Sequence, residues 1–328
     1  MNANNRKIDN PADSDSIFAH DVRIGFGKSP KSLPCLYLYD RIGSSLFERI
    51  CRQPEYYCTR AEAEILESHA RDIASICSRS SRIVELGSGN SEKTRILLET
   101  FIDSGKQTTY FPIDISQGIL EKSAVILKEA CPPLEVRPIT ARYEDGLTML
   151  EPSNEGILLL WLGSSIGNYE PDSAKAFVER LQSQLSTGDY FLLGVDLIKD
   201  PAVLEAAYND RSGVTAAFNL NLLSRINREL GGHFHLERFK HHAIFNSDKG
   251  CIEMYLVSNC DQEVRIDALD LAIPFTEGER IHTENSFKYT PEEIPLLGNH
   301  GRLLLTNQWL DSQKQFSLNL FKVSNGVF

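Results

Sequence analysis

The chain has 328 residues, of which 41% are hydrophobic and 24% are charged, and it carries a formal net charge of −11 with a pI near 5.3. This composition is typical of a soluble globular protein with one large or two ordinary domains. The acidic balance disfavours binding to nucleic acid, which requires clustered lysine and arginine. Apolar runs are shorter than the about 18 residues that a membrane span needs. We therefore expect a small-molecule partner, no nucleic acid and no membrane.

The N-terminal segment and the cysteines bear on the cellular location of the protein. Met1–Ser16 is polar and lacks the apolar core of a signal peptide, so it predicts a flexible tail. The seven cysteines are scattered and never form a C-x-x-C pair, which favours a reducing, cytoplasmic location. His233 and His235 alternate and His241 and His242 are adjacent, but no further donors stand at metal-ligand spacing. They predict strand or loop histidines and no metal site.

The stretch Val84–Gly89 predicts a nucleotide-binding corner. The β-prone run Arg82–Leu86 stops in a glycine turn, and a helical pattern begins near Ser91, so a strand, a tight turn and a helix N-terminus follow one another. A dinucleotide fingerprint has a third glycine where this chain has Glu92. A carboxylate there disfavours a diphosphate and suits S-adenosylmethionine (SAM), which is cationic and carries no phosphate.

The following strand adds a second feature of such a corner. It ends in Asp114, about 27 residues after Gly87, where a carboxylate can accept hydrogen bonds from both ribose hydroxyls. The alternatives are a dinucleotide site and an ordinary strand–turn–helix with a capped helix.

Strand and helix patterns alternate through the middle of the chain. The predicted strands are Arg82–Leu86, Thr108–Asp114, Leu134–Thr140, Gly156–Leu162 and Asp189–Asp196, and the predicted helices are Glu92–Asp103, Gln117–Ala130 and Asp172–Leu185. This alternation predicts a parallel sheet with right-handed crossovers. Ligands of such sheets bind at the carboxyl ends of the strands, which places Gly87, Asp114, Gly163, Ser164 and Asp196 along one rim.

The pattern changes after Asp196. Pro201–Glu229 reads as helical segments, and it is followed by the strand pairs His241–Phe245 with Ile252–Ser258 and Arg302–Leu310 with Phe316–Val323. By fold analogy, we expect an α/β protein with a Rossmann-like class I SAM-methyltransferase sheet over residues 61–197 plus 288–328. Residues 17–60 plus 198–287 are expected to form a second, α+β lobe that binds the substrate.

Three groups of polar side chains are candidates for binding a substrate. Asn168 follows the apolar fourth strand, where its amide can both donate and accept, although a turn asparagine is the alternative. In an extended segment Glu284 and Ser286 share one face and can grip an imidazole or another N–H heterocycle, unless that face is merely solvated. A group of N-terminal tyrosines predicts either pocket walls or packing between lobes, and its members are Tyr37, Tyr39, Tyr56 and Tyr57.

Short motifs from about residue 35 onward form a specific combination, although each alone is weak. They are Tyr39–Asp40, Gly43–Ser44, Leu46–Glu48, Pro54–Glu62, Glu85–Arg95, Gly163–Asn168, Asp196–Lys199, Tyr208–Asp210, Gly213–Asn219, Ile252–Met254 and Thr283–Tyr289. In this combination the chain resembles the histidine-specific, SAM-dependent methyltransferases of ergothioneine biosynthesis. The resemblance implies trimethylation of the α-amine of L-histidine, giving N-α-trimethylhistidine (hercynine), with SAM as the methyl donor.

The resemblance also implies roles for individual residues. Asn168 and Tyr208 would clamp the amino-acid end of the substrate, and Tyr39 would lie near the reacting amine. The remaining substrate residues implied are the pocket walls Tyr56, Phe47 and Met254 and the imidazole-binding pair Glu284 and Ser286. The cofactor residues implied are Gly87, Lys93, Asp114 and Ser164.

The chain departs from the family pattern near the adenine site. The family often has an acid just after the third strand, where this chain has Arg142. Adenine recognition is therefore expected from the backbone amide of Tyr143 or from a shifted acid, Glu144 or Asp145.

Other functions remain open from the sequence. Related enzymes methylate other amino acids, including prenylated tryptophan. A non-catalytic SAM-binding regulator would have no reason to keep Asn168, Tyr208 and Glu284 together. A nucleic-acid methyltransferase conflicts with the acidic balance of the chain.

Overall fold

The computed structural model describes residues 11–151, 153–298 and 302–325. The helices are α1 Pro11–Gly27, α2 Arg41–Ile50, α3 Cys58–Ile76, α4 Glu92–Asp103, α5 Gln117–Ala130, α6 Tyr143–Thr148, α7 Pro171–Ser183, α8 Pro201–Tyr208 and α9 Val214–Leu230. The strands are β1 Lys31–Ser32, β2 Ser80–Leu86, β3 Thr109–Asp114, β4 Glu135–Val136, β5 Ile139–Thr140, β6 Gly156–Trp161, β7 Tyr190–Asp196, β8 Phe239–Asn246, β9 Cys251–Ser258, β10 Gln262–Ile266, β11 Leu271–Phe275, β12 Arg280–Phe287, β13 Leu303–Leu310 and β14 Phe316–Val323.

The chain divides into two compact units. The first comprises the chain through Glu55, Glu205–Asn246 and Ile252–Asn285, and the second comprises Tyr56–Leu204, Ser247–Cys251 and the chain from Ser286 onward. The expected lobes break after residues 60, 197 and 287, whereas the units break after residues 55, 204, 246, 251 and 285. The functional assignment of each lobe stays a prediction. Of the expected tail Met1–Ser16, residues 1–10 lie outside the described residues and residues 11–16 belong to α1.

The second unit is built on one sheet with the strand order β13-β14-β7-β6-β2-β3-β4, and β5 also pairs with β3. Strand β14 runs antiparallel to both of its neighbours, and the other pairs are parallel. The predicted Rossmann-like α/β sheet is thereby confirmed. The predicted strand Leu134–Thr140 is divided into β4 and β5, because Pro138 between them has no N–H to donate to a neighbouring strand.

The core of the second unit follows from its apolar strands. Residues Leu158–Trp161 of β6 are fully buried, as a central strand covered on both faces must be. Helix α7 begins with Pro171 and buries a stripe at helical spacing, and its Phe177 ring packs 4.7 Å from the Trp161 ring between centroids. This packing fixes the carboxyl end of β6, where the candidate residues follow.

The first unit combines a sheet of order β1-β12-β9-β8 and the antiparallel pair β10–β11 with helices α1, α2 and α9. Helix α9 buries Phe218, Leu222 and Ile226, which recur every four residues along one face. Asp40 caps α2 by accepting a hydrogen bond from Gly43 N at 2.7 Å, and it also accepts one from Asn221 of α9 at 2.8 Å. One carboxylate therefore joins two helices of this unit.

Among the described residues, no helix combines the length and the hydropathy that crossing a bilayer requires.

Asp210 provides a test of how α9 begins. Its carboxylate accepts hydrogen bonds from Val214 N at 2.8 Å and Thr215 N at 2.7 Å, in the first turn of the helix. We expect Asp210→Ala to lower the free energy of unfolding by about 1–2 kcal/mol at pH 7, because these donors lose their acceptor. Denaturant unfolding measures the change, and Asp210→Asn, which keeps one acceptor oxygen, is expected to lose less.

The effect of Asp210→Ala should also depend on pH. Burial alone would raise the pKa of Asp210, but hydrogen bonds from Thr215 and Val214 hold it below the ordinary 3.8. The native state therefore holds this proton less tightly than the unfolded state does, and the stabilisation is present above pH 3.8 and lost as the pH falls below it. An equal difference between wild type and variant at pH 7 and at pH 3 would contradict this account.

Candidate functional site

The glycine corner of the second unit has a backbone geometry that allows another group to approach the main chain closely. Gly87 and Gly89 adopt positive φ angles of 67° and 51°, which favour glycine. Gly87 N donates to the carbonyl of Ile113 at 2.8 Å, and Asp114 accepts from Gly89 N at 3.1 Å. Asp114 also accepts from Ser116 N at 2.9 Å, so its carboxylate links the corner to the start of α5. Burial raises the pKa of Asp114, and these hydrogen bonds oppose the rise.

Tyr143 lies directly against this corner. A Cβ atom at Gly87 would stand 2.5 Å from the Tyr143 hydroxyl oxygen, so only glycine fits there. The Tyr143 ring is held edge-on to Trp161, with 6.0 Å between centroids. The structure therefore brings together Gly87, Asp114 and Tyr143, which were predicted from separate motifs. Arg142 is the residue that precedes α6.

Beneath the corner lies a buried cluster around Glu85. The Glu85 carboxylate accepts hydrogen bonds from Thr94 Oγ1 at 2.7 Å and from the Tyr110 hydroxyl. The Tyr110 oxygen is 3.0 Å from Ser91 Oγ, and Ser91 adopts a left-handed φ of 55° just before α4. Because the Tyr110 proton goes to Glu85, Ser91 donates to Tyr110. This chain of hydrogen bonds holds the strained residue at which the helix begins.

Burial dominates the electrostatics of the Glu85 cluster. It raises the pKa of Glu85 to about 7, although hydrogen bonds from Tyr110 and Thr94 favour the charged form. Burial and the neighbouring Glu85 carboxylate also raise the pKa of Tyr110 well above its ordinary value. Tyr110 therefore remains a hydroxyl donor.

Lys93 and Gly163 are joined by a buried acid. Both oxygens of Glu62 accept from Gly163 N, at 2.9 and 3.1 Å, and Lys93 Nζ forms an ion pair with the same carboxylate. Glu62 is fully buried in α3, and Lys93 stands in the first turn of α4.

Asp196 is the centre of a second buried cluster. Its fully buried carboxylate accepts from the Tyr57 hydroxyl at 2.8 Å, pairs with Lys288 Nζ at 2.8 Å, and also pairs with Lys199. Burial would raise the pKa of Asp196, but Lys288 and Lys199 outweigh it and the pKa lies below the ordinary value. Asp196 N donates to Ser164 Oγ at 2.9 Å, so Ser164 is held by the same residue.

The Asp196 cluster extends to Ser286. Lys288 Nζ donates to Ser286 Oγ at 2.8 Å, and both side chains are buried. Asn168 lies close by in the chain fold, since a Cβ atom on the preceding Gly167 would stand 2.7 Å from Phe287 O and 3.5 Å from Ser286 Oγ. The structure thus brings the segment of Asn168 against the segment of Ser286. Tyr56 is buried at the start of this unit, where its carbonyl accepts from Arg60 at 3.3 Å.

The first unit brings Tyr39 and Phe47 together. Their ring centroids are 5.5 Å apart, and both contact Phe218 of α9, at 5.4 Å from Tyr39 and 6.0 Å from Phe47. The three rings form an aromatic cluster that the sequence motifs predicted only in part.

The backbone of Tyr208 is held by a histidine of defined tautomer. His241 Nε2 lies 2.8 Å from the Tyr208 carbonyl, which can only accept, so this nitrogen carries the proton. His241 Nδ1 then accepts from the Asn219 amide at 3.0 Å. Burial lowers the pKa of His241, in agreement with a neutral ring. Both ring nitrogens of His241 are therefore engaged in hydrogen bonds within the first unit.

Met254 and Glu284 are also buried in the first unit. The Met254 carbonyl, in β9, accepts from Thr283 Oγ1 of β12 at 3.1 Å. Burial and the nearby Glu284 carboxylate raise the pKa of Cys35 to about 12, so Cys35 is a thiol beside Glu284. Asn285 Oδ1 accepts from His282 Nε2 at 2.7 Å, and Asn285 is only half-buried.

Sequence reasoning missed several residues of these clusters. Glu62 and Lys288 lie inside the sequence motifs but received no role, and Tyr57 was predicted only as a pocket wall or a packing residue. For Glu62 a signal was available, because it occupies the apolar face of α3 with Ile65 and Leu66, three and four residues later. Within the described part of the chain, no group of three His, Cys, Asp or Glu side chains could hold a metal ion.

The chain is similar to proteins of one family along most of its length. Residues 18–323 match the family model described as histidine-specific methyltransferase, SAM-dependent. Over 300 residues the chain is 41% identical to the histidine N-alpha-methyltransferase of Mycolicibacterium smegmatis, covering 92% of this chain and 93% of that protein. It is 33% identical over 305 residues to ergothioneine biosynthesis protein 1 of Neurospora crassa, covering 91% of this chain and 34% of that protein. It is 26% identical over 322 residues to the L-tryptophan methyltransferase of Psilocybe serbica, covering 90% and 89%.

The raised pKa of Glu85 makes stability depend on pH. Between the ordinary value of 4.5 and about 7, the folded state holds a proton on Glu85 that the unfolded state has released. The stabilisation from this group is present below pH 4.5 and is lost as the pH rises through about 7. Glutamine cannot titrate at this position. We therefore expect the Tm of Glu85→Gln minus the Tm of wild type to become more positive when the pH is raised from 5 to 8. A difference in Tm that is the same at both pH values would contradict the assignment.

Proposed function

Because the chain belongs to the family of histidine-specific, SAM-dependent methyltransferases, we propose that it transfers methyl groups from SAM to the α-amine of L-histidine. Three transfers convert L-histidine to N-α-trimethylhistidine, and this conversion is a step of ergothioneine biosynthesis. The observation that carries this proposal is the 41% identity to a histidine N-alpha-methyltransferase over 92% of the chain.

The glycine corner fits the adenosine part of SAM. Ser88 Oγ is buried in this corner and has no hydrogen-bond partner among the described residues, so a polar ligand atom would satisfy it. Gly87 leaves room for a close approach, and Asp114 stands at the strand end that suits ribose hydroxyls. We assign adenine recognition to the backbone of Tyr143, and the amino-acid end of SAM to Lys93 and Ser164.

The substrate roles that the family resemblance implies are assigned residue by residue. In the first unit, Tyr39 is placed near the amine and Tyr208 at the amino-acid end, with Phe47 and Met254 as walls and Glu284 at the imidazole. In the second unit, Asn168 clamps the amino-acid end, Tyr56 is a wall and Ser286 contacts the imidazole.

The reaction requires a neutral amine and good alignment. SAM supplies a methyl carbon that is already activated by the sulfonium. The amine of free histidine is mostly protonated at neutral pH, and desolvation in a mostly apolar pocket lowers the pKa of an amine and so favours its uncharged form. Asn168 orients the lone pair of that amine, which is the main contribution left to the protein. Each transfer forms an N–C bond, and the electron pair of the broken S–C bond leaves with S-adenosylhomocysteine. The mono- and dimethylated ammonium products lose a proton to solvent before the next transfer, and transfer stops at the quaternary amine because it has no lone pair.

Ser286 is joined to a buried lysine. An ammonium has only donors, so Ser286 Oγ accepts from Lys288 at 2.8 Å. The carboxylate of Glu284 can accept a hydrogen bond from the N–H of an imidazole.

The relative that methylates tryptophan supports a second candidate, methylation of another amino acid. A reaction of the purified protein with SAM and an equimolar mixture of histidine, tryptophan and tyrosine separates the two. We expect mass spectrometry to show mono-, di- and trimethylhistidine in succession. Methylated tryptophan or tyrosine without methylated histidine would overturn the assignment of the substrate.

Two substitutions should separate the two ligands. We expect Glu284→Ala to raise the KM for histidine by on the order of tenfold to a hundredfold, because a charged hydrogen bond to the ring is lost, and to leave the affinity for SAM unchanged. We expect Asp114→Ala to weaken SAM by a similar factor and to leave the KM for histidine nearly unchanged. Each variant is the control for the other, and an equal effect of either one on both ligands would remove its assignment.

A further inference from the structure

We infer that Glu62 is a positioning residue for SAM: it holds the Lys93 ammonium and the Gly163 N–H so that they meet the amino-acid end of that ligand and leave the adenosine end unaffected. The inference rests on SAM being the methyl donor and adds a residue to that part of the site.

Glu62 stands where an apolar side chain would otherwise be expected. It is 0% exposed on the face of α3 that also buries Ile65 and Leu66. Burying a carboxylate costs several kcal/mol unless charge and hydrogen bonds compensate it. The compensation comes from elements that follow the glycine corner and β6, so the acid is tied to the rim of the sheet.

The contacts of Glu62 reach two segments of that rim. Its oxygens lie 2.9 and 3.1 Å from Gly163 N, in a turn where Gly163 has a φ of 73°. Its second partner, Lys93, has its Nζ 3.8 Å from the position that a Cβ atom would take on Gly163. The carboxylate therefore fixes the ammonium and the turn relative to each other.

The neighbouring strand is shaped around this carboxylate. A Cβ atom at Gly194 of β7 would stand 2.1 Å from Glu62 Oε1, so any larger residue would displace the acid. The main chain of a central strand thus leaves room for one particular side chain on α3.

The two ends of SAM are distinguished by these contacts. Its amino-acid end carries an ammonium and a carboxylate, which suit a site holding a paired lysine and acid. The glycine corner is held instead by Asp114, Ile113 and Tyr143, and the hydrogen bonds described there do not include Glu62. Loss of the Glu62 charge should therefore affect only ligands that have the amino-acid end.

Calorimetric titration of two product-like ligands tests this inference. S-Adenosylhomocysteine has the amino-acid end, and 5′-methylthioadenosine lacks it. We expect Glu62→Gln to weaken S-adenosylhomocysteine by about tenfold or more and to leave the Kd of 5′-methylthioadenosine within about twofold of wild type. Retained binding of the second ligand also reports that the corner is folded.

Glu64→Gln is the matched control. It removes the same charge from the same helix, but Glu64 is exposed and accepts from Ser312 N at 2.8 Å, away from Lys93. Both ligands should bind this variant as they bind wild type. If Glu62→Gln does not fold, Glu62→Asp keeps the charge but draws the carboxylate away from Lys93 and Gly163 N, and it must show the same selectivity.

The outcomes separate the inference from the proposed function. If Glu62→Gln raises the Kd of both ligands equally, or changes neither Kd, the role of Glu62 is overturned. The assignment of SAM as the methyl donor is not affected by that result. Failure of the wild-type protein to bind either ligand would instead overturn SAM as the methyl donor.

Discussion

The ion pair between Asp196 and Lys288 is the constraint on which the arrangement of the second unit depends. Both side chains are buried. The Asp196 carboxylate also forms an ion pair with Lys199 and accepts a hydrogen bond from the Tyr57 hydroxyl. Through these partners one residue at the end of β7 joins the start of α3 and the segment after β12. Removing the acid would leave buried ammonium groups without compensation, which costs more than the pair itself contributes. The positions of Ser164 and Ser286 follow from this one charge.

Three buried carboxylates at the carboxyl ends of the strands or next to them are compensated in three different ways. Asp196 has ammonium groups beside it, and its pKa is low. Glu62 has one ammonium and a backbone N–H. Glu85 has only hydroxyl partners, and burial raises its pKa to about 7. The two ammonium groups hold the pKa of the buried Asp196 low, whereas the neutral donors around Glu85 offset burial only in part. The chemistry of each partner thus decides which acid can respond to physiological pH.

Much of the fold could be predicted from periodicity and turn residues. The predicted bounds of α4 and α5 are those of the structure, and the glycine corner with Asp114 needed only local sequence. Helix α3 was not predicted, although Ile65, Leu66 and Ile73 recur at helical spacing along its buried face. The clusters of the site could not be predicted in the same way, since Tyr57 and Asp196 meet across 139 residues of sequence. Packing rather than local preference decides such contacts, and only the topology of the sheet makes them visible.

The residues assigned to the two ligands take their positions from a buried acid that need not touch a ligand. Asp196 pairs with Lys288 Nζ at 2.8 Å, and that lysine donates to Ser286 Oγ at 2.8 Å. The same acid donates its backbone N–H to Ser164 Oγ at 2.9 Å. Breaking a buried ion pair leaves a charge without compensation, which costs about 3–5 kcal/mol. Loss of the Asp196 carboxylate would therefore displace side chains assigned to both ligands at once, whereas loss of any one of those side chains removes a single contact.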